Sequence, residues 1–169
     1  MAKERQTRTI NMTVLTDDDF LSPYSETSTP VISSEVADFL ENSAKGFHLN
    51  DKLALNVHSN CVDDSEQTLY PKAIKNYFTN QLKSLEMELK RNALTVVLFT
   101  LIGIAGLVFM ILYSHFWDNE VWAECIDIFA WVFLWEAVDQ FFIQRKILHR
   151  KKKRIIAFCE MTVTFLPLK

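Results

Sequence analysis

A chain of 169 residues with a formal net charge of −3 and 49% hydrophobic residues has room for one compact domain, or for a small domain plus a membrane element. It lacks the overall basic charge that marks a nucleic-acid binder, so no nucleic-acid partner is expected. Its three cysteines, Cys61, Cys125 and Cys159, are odd in number and widely separated, with no Cys-x-x-Cys or Cys/His spacing. That argues against a disulfide framework or a structural zinc site.

The opening MAKERQTRTI has basic residues but no apolar stretch behind them, so it does not read as a signal peptide, and the N-terminus is expected in the cytosol. Residues 8–15 alternate as a strand does, and 16–30 read as a polar, Pro-containing loop. The spacing of Val36, Ala37, Phe39 and Leu40 predicts a helix capped by Ser33 or Ser34 and ended by Gly46. Residues 52–59 set Leu53, Leu55 and Val57 against Lys52, Ala54, Asn56 and His58, the pattern of a half-buried strand. Beside it, His48, His58, Cys61, Asp63 and Asp64 lack any fixed ligand spacing and read as solvated loop, so no metal site is expected.

Pro71 suits the first turn of a helix. From there Ile74, Phe78, Leu82, Leu85 and Leu89 recur at three- and four-residue steps into the uncharged run 93–113, without a helix breaker. About 20 apolar residues cross a hydrocarbon core of roughly 30 Å. Residues 121–143 form a second apolar stretch, joined to the first by SHFWDNE at 114–120, a composition suited to an interfacial turn. The loop has no Lys or Arg, whereas Lys83, Lys90 and Arg91 precede the first span and the cluster RKILHRKKKR at 145–154 follows the second. Both ends are therefore expected in the cytoplasm and the loop outside.

The second stretch carries acids where lipid offers no reason for them. Glu124 and Asp127, then Glu136 and Asp139, repeat a Glu-x-x-Asp pattern that puts each pair on one helical face. Together the four cover about one half of the helix at 100° per residue, opposite Ile126, Phe129, Ala130, Phe133, Ala137 and Phe141. An acid near the middle of a span costs about 2.5–3.5 kcal/mol on insertion scales, so such residues are usually paired or functional. Thr95, Thr100 and Tyr113 on the first span could donate to them, and that span has no basic residue. Thr100, Gly103 and Gly106, at three-residue steps, would let a helix approach closely. Arg145, Lys146, Arg150, Lys151, Lys152, Lys153 and Arg154 read as a topology anchor and as ligands for anionic lipid headgroups. After them, 155–169 alternates at Met161, Val163 and Phe165 until Pro167, as a tail strand able to pair with 52–59 or 8–15.

The expected fold is thus a membrane protein, a two-span transmembrane helical hairpin with a long stalk helix and a small cytosolic α+β domain formed by both termini. Residues 1–69 would form the α+β domain, 70–92 the stalk and 93–143 the hairpin, with spans 93–113 and 121–143. Residues 144–169 would form a basic juxtamembrane helix and the C-terminal strand. This plan resembles that of the mitochondrial calcium uniporter pore. Trp122-Ala-Glu124 lacks the Pro and most of that family's acidic signature, so no residue is carried over. No Walker loop, GxGxxG, GxSxG or HExxH is present and only three glycines occur, so neither enzyme activity nor a cofactor is expected. Two readings stand: a non-enzymatic, multi-pass cell-membrane protein that anchors and homo-oligomerises a cytosolic domain able to bind a protein partner, as an adaptor or sensor, or an oligomeric cation channel or ion-binding protein using the acids of the second span.

Overall fold

A computed structural model describes residues 6–16, 19–26, 28–116 and 120–168. Of the segments read above, 117–119 in the connecting loop and 17, 18 and 27 in the loop 16–30 lie outside the described residues. The chain divides into two compact units, one comprising Met1–Ser84 with Arg150–Lys169 and the other Leu85–His149.

The first unit is built on strands β1 (Thr7–Thr13), β2 (Lys52–His58) and β3 (Thr162–Leu166), in the order β1-β2-β3. Both pairings are parallel. The tail strand therefore returns to β2, one of the two pairings its alternation allowed. Register aligns Ile10 with Leu55 and Leu55 with Val163, then Met12 with Val57 and Val57 with Phe165. Since side chains alternate across a strand, these rows share one face. Leu55 and Val57 on that face are 0% exposed. The opposite face holds Thr9, Asn11, Thr13, Asn56, His58 and Thr164, and Asn56 Nδ2 donates to Asn11 Oδ1 at 3.2 Å. Both crossovers move the same way across the sheet, and with their usual right-handed sense they place helices on one side only.

Helix α1 (Ser34–Ala44) begins where the Ser33 hydroxyl accepts from Val36 N, the capping role expected of it. Its end differs from expectation. Gly46 has no positive φ, so it is not a left-handed cap. Instead Phe47 N closes on Ala44 O at 3.0 Å, and the Arg154 guanidinium donates to the same Ala44 O at 2.9 Å and to Phe47 O at 3.3 Å, holding the chain where it leaves the helix.

Helix α2 (Asp64–Phe116) starts seven residues before Pro71. Asp63 N donates to Glu66 Oε2 at 2.9 Å, and Gln67 N closes the first turn on Asp63 O. Asp-x-x-Glu thus forms half of a capping box strong enough to begin the helix early and leave Pro71 in its interior. The cost is one missing N–H to the carbonyl a turn back. Helix α4 (Arg145–Cys159) likewise runs farther than expected, because Ile155 and Phe158 are both buried at helical spacing. The β alternation starts only at Thr162.

The core is aromatic. Phe158 stacks on Phe78 with ring centroids 4.4 Å apart, and Phe20 stacks on Tyr70 at 3.9 Å. Phe20 sits in the stretch read as a polar loop, yet is 1% exposed. The loop is pinned there by Ser33 N to Phe20 O and by Asn76 Nδ2 to Pro30 O.

The second unit contains the rest of α2, helix α3 (Glu120–Asp139), a π-helical turn at Gln140–Gln144 and the start of α4. Helix α2 is long and apolar enough to cross a membrane, and 6% of its most apolar stretch is buried within the chain. It is the single described helix of that kind, where two spans were expected; the acids of α3 take that helix out of the class.

Candidate functional site

Inside the second unit, α2 and α3 meet along a seam of small residues. A Cβ added at Gly103 would lie 2.6 Å from Leu134 Cγ and 3.2 Å from Ala130 O, and one at Gly106 would lie 2.9 Å from Ala130 Cβ. Ala130 is 0% exposed and Ala137 5%. Phe99 meets Phe133 edge-on with centroids 5.7 Å apart. The glycine stripe is thus engaged within one chain, and the partner helix that it admits is α3 itself. Thr100 is not part of the close approach in the same sense, since its hydroxyl donates to Val96 O at 2.8 Å.

That seam decides where the acids lie. Measured around α3 from Ala130, Asp127 falls at about 60°, Glu124 at about 120°, Asp139 at about 180° and Glu136 at about 240°. Glu124 and Glu136 are exposed and Asp127 and Asp139 half-buried. Glu124, Asp139 and Glu136 are turned off the α2 contact, whereas Asp127 lies at its edge, about 20° around the helix from Leu134. Two of the candidate donors on α2 bond their own helix: Thr95 donates to Arg91 O, as Thr100 does to Val96 O. Glu136 accepts from Gln140 Nε2 at 3.0 Å, one turn on. Ile128, Trp131, Val132 and Trp135 surround it in a shallow apolar groove.

Gln140 opens a feature that the residues gave no sign of. In the π turn its carbonyl accepts from Arg145 N, the wider bonding such a turn imposes, and also from Asn92 Nδ2 at 3.3 Å. An amide on α2 thereby ties the end of α3. Arg145 lies over the Phe141 ring at 5.3 Å, and Lys146 is exposed.

In the first unit the basic cluster divides. Arg150, Lys151 and Lys153 are exposed and Lys152 is half-buried. Arg154, read from its neighbours as a headgroup ligand, serves the end of α1 as described above. Replacing it by Met should keep the aliphatic packing but remove both guanidinium bonds, leaving Ala44 O to Phe47 N alone and Phe47 O without the guanidinium, costing about 1–3 kcal/mol by chemical denaturation. A cost indistinguishable from zero would show that water replaces the guanidinium there. Among the described residues no three His, Cys, Asp or Glu side chains converge. Burial pushes the Cys159 thiol above its ordinary range, with Thr79 and Lys75 pulling the other way; its thiolate is correspondingly disfavoured. A cavity of about 620 Å³ at the N-terminal ends of the strands is bordered by Asp51, Lys52, Lys153 and Glu160. Its charges are of both signs, and Asp51 is held by Arg8 Nε at 3.3 Å.

No family model, curated protein or solved structure matches this chain, so the likeness of plan to the uniporter pore carries no further argument.

Proposed function

We propose that this chain is a non-enzymatic integral membrane protein that mounts a small cytosolic unit on a two-span hairpin and acts by assembling with further copies of itself. The single observation behind this reading is the division of α3 into two faces. One face is closed against Gly103 and Gly106, while Glu124, Glu136 and Asp139 are turned away from it and Asp127 lies half-buried at its edge. Residues 92–144 contain no Lys or Arg, so the hairpin has no cation of its own for them. Left against lipid, each central acid costs about 2.5–3.5 kcal/mol, and contact with another chain or with water removes that cost. The distribution of Lys and Arg supports both termini in the cytoplasm. Exposed Lys146, Arg150, Lys151 and Lys153 suit anionic headgroups, each at about 1 kcal/mol near the surface.

The doubled Glu-x-x-Asp favours a second reading, in which assembled α3 helices present carboxylates to a cation path. One experiment addresses both: mass by light scattering in detergent, with cation flux into liposomes, for wild type, Asp127→Asn and Glu136→Gln. Wild type should be oligomeric, and a monomer would remove the assembly reading. The amide variants avoid burying a charge and should remain assembled. Flux that falls sharply in them supports the cation path; wild type without flux leaves the acids as contacts between helices.

A further inference from the structure

The two edges of the sheet are not equivalent. Lys52 N donates to Gln6 O and Val14 N to His58 O, both at 3.0 Å, so the even-numbered residues of β1 turn their backbone groups toward β2. In a parallel ladder the N–H and C=O of one residue point the same way. Thr7, Thr9, Asn11 and Thr13 therefore present theirs to the open side, where no described strand lies. On the other edge, Ser59 N bonds Leu166 O, which leaves Val163 and Phe165 facing outward and then Pro167, which has no N–H. An edge five residues long that ends in proline is blunted. The β1 edge is seven residues long with neither Pro nor Lys, and it stands open as a template.

Beside the C-terminal half of that edge, between β1 and α1, lies a groove of about 380 Å³. Its floor is Phe20 and Val36, 1% and 7% exposed, with Met12 at the strand. Two apolar side chains stand over it in solvent, Leu15 at 76% and Phe39 at 40% exposure. Asp19 and Glu35 border the same groove. A backbone rail, an apolar socket and an acidic rim are the three parts by which a sheet edge captures an extended segment. We propose that the β1 edge and the groove beside it bind an extended segment of another protein, which pairs with β1, seats an aliphatic side chain between Leu15 and Phe39, and sets Lys or Arg against Asp19 and Glu35. A second copy suits the site less well, because the one charge on its β1 is Arg8, already held by Asp51.

The test is fluorescence anisotropy of the full chain in detergent with a labelled ten-residue peptide of alternating Lys and Val. Binding should weaken at least about tenfold when Glu replaces Lys in the peptide, and as much when alternate peptide nitrogens are methylated. Thr9→Pro removes an outward N–H, and Phe39→Asp puts a charge in the socket; each should weaken binding about tenfold while leaving the circular dichroism spectrum unchanged. Should Thr9→Pro misfold, Phe39→Asp and the methylated peptide still decide the matter. Absence of binding, or binding indifferent to methylation and to both substitutions, overturns the proposal. So does a concentration-dependent dimer abolished by Thr9→Pro, which would assign the edge to a second copy.

Discussion

Phe158→Ala is expected to destabilise the sheet-bearing unit by about 3–5 kcal/mol, the usual cost of emptying a buried aromatic site. Phe158 is 2% exposed and stacks on Phe78, itself 0% exposed. Neither ring can shift far, because Ile74 and Ile155 are closed off in the same core. Small domains are stable by only about 5–15 kcal/mol in total, so the loss should extend well beyond α4. The measurement is urea denaturation in detergent with limited proteolysis read at residues 7–58. Phe158→Leu, which fills most of the volume, should cost much less, and Met161→Ser at a half-buried position should cost little. Unchanged protection of β1 and β2 in Phe158→Ala would show that the C-terminal segment adds nothing to their stability, against the fold described here.

Gly103→Val should separate the hairpin helices. The added Cβ meets Leu134 Cγ at 2.6 Å and the Ala130 carbonyl at 3.2 Å. Leu134 can rotate, whereas the carbonyl belongs to the helix and cannot. Overpacking of this kind costs about 1–3 kcal/mol in soluble cores, and in a membrane close packing is the main attraction between helices. With the native cysteines replaced, Phe99→Cys and Phe133→Cys should cross-link through a short bifunctional thiol reagent, since the two side chains meet across the seam in the parent. Gly103→Val should cut the yield several-fold. Adding Leu134→Ala to Gly103→Val should restore little of it, because the Ala130 carbonyl stays in the way. Gly46→Val is the control: nothing lies within 4 Å of a Cβ there, and no change is expected. Undiminished cross-linking in Gly103→Val would place the contact elsewhere than at the glycines.

Local patterns were enough for several elements. The uncharged run 93–113 has to be helical wherever water is scarce, because a helix bonds its own backbone. The alternation in 52–59 and the Ser33 cap of α1 act within a few residues of themselves, and each lies within a residue or so of where its pattern put it. The early start of α2 was equally local, written in Asp63 and Glu66; Pro71 drew attention to itself as the more familiar signal. Other features depend on residues far apart in the chain. Arg154 looked like its basic neighbours, and only the approach of α4 to the end of α1, 110 positions earlier, gives its guanidinium two carbonyls. Phe20 looked like a loop residue until Tyr70 supplied the ring beneath it. Gly103 and Gly106 announced that some helix would pack closely, but a small side chain makes room without choosing an occupant, and Ala130 on the same chain takes it. The repeated Glu-x-x-Asp was plain from residue order, whereas the turning of Glu124, Glu136 and Asp139 away from α2 follows from that choice. Bonds within one or two turns are legible because chain connectivity already brings their atoms together; pairings across 50 or 100 residues are selected by the whole core at once.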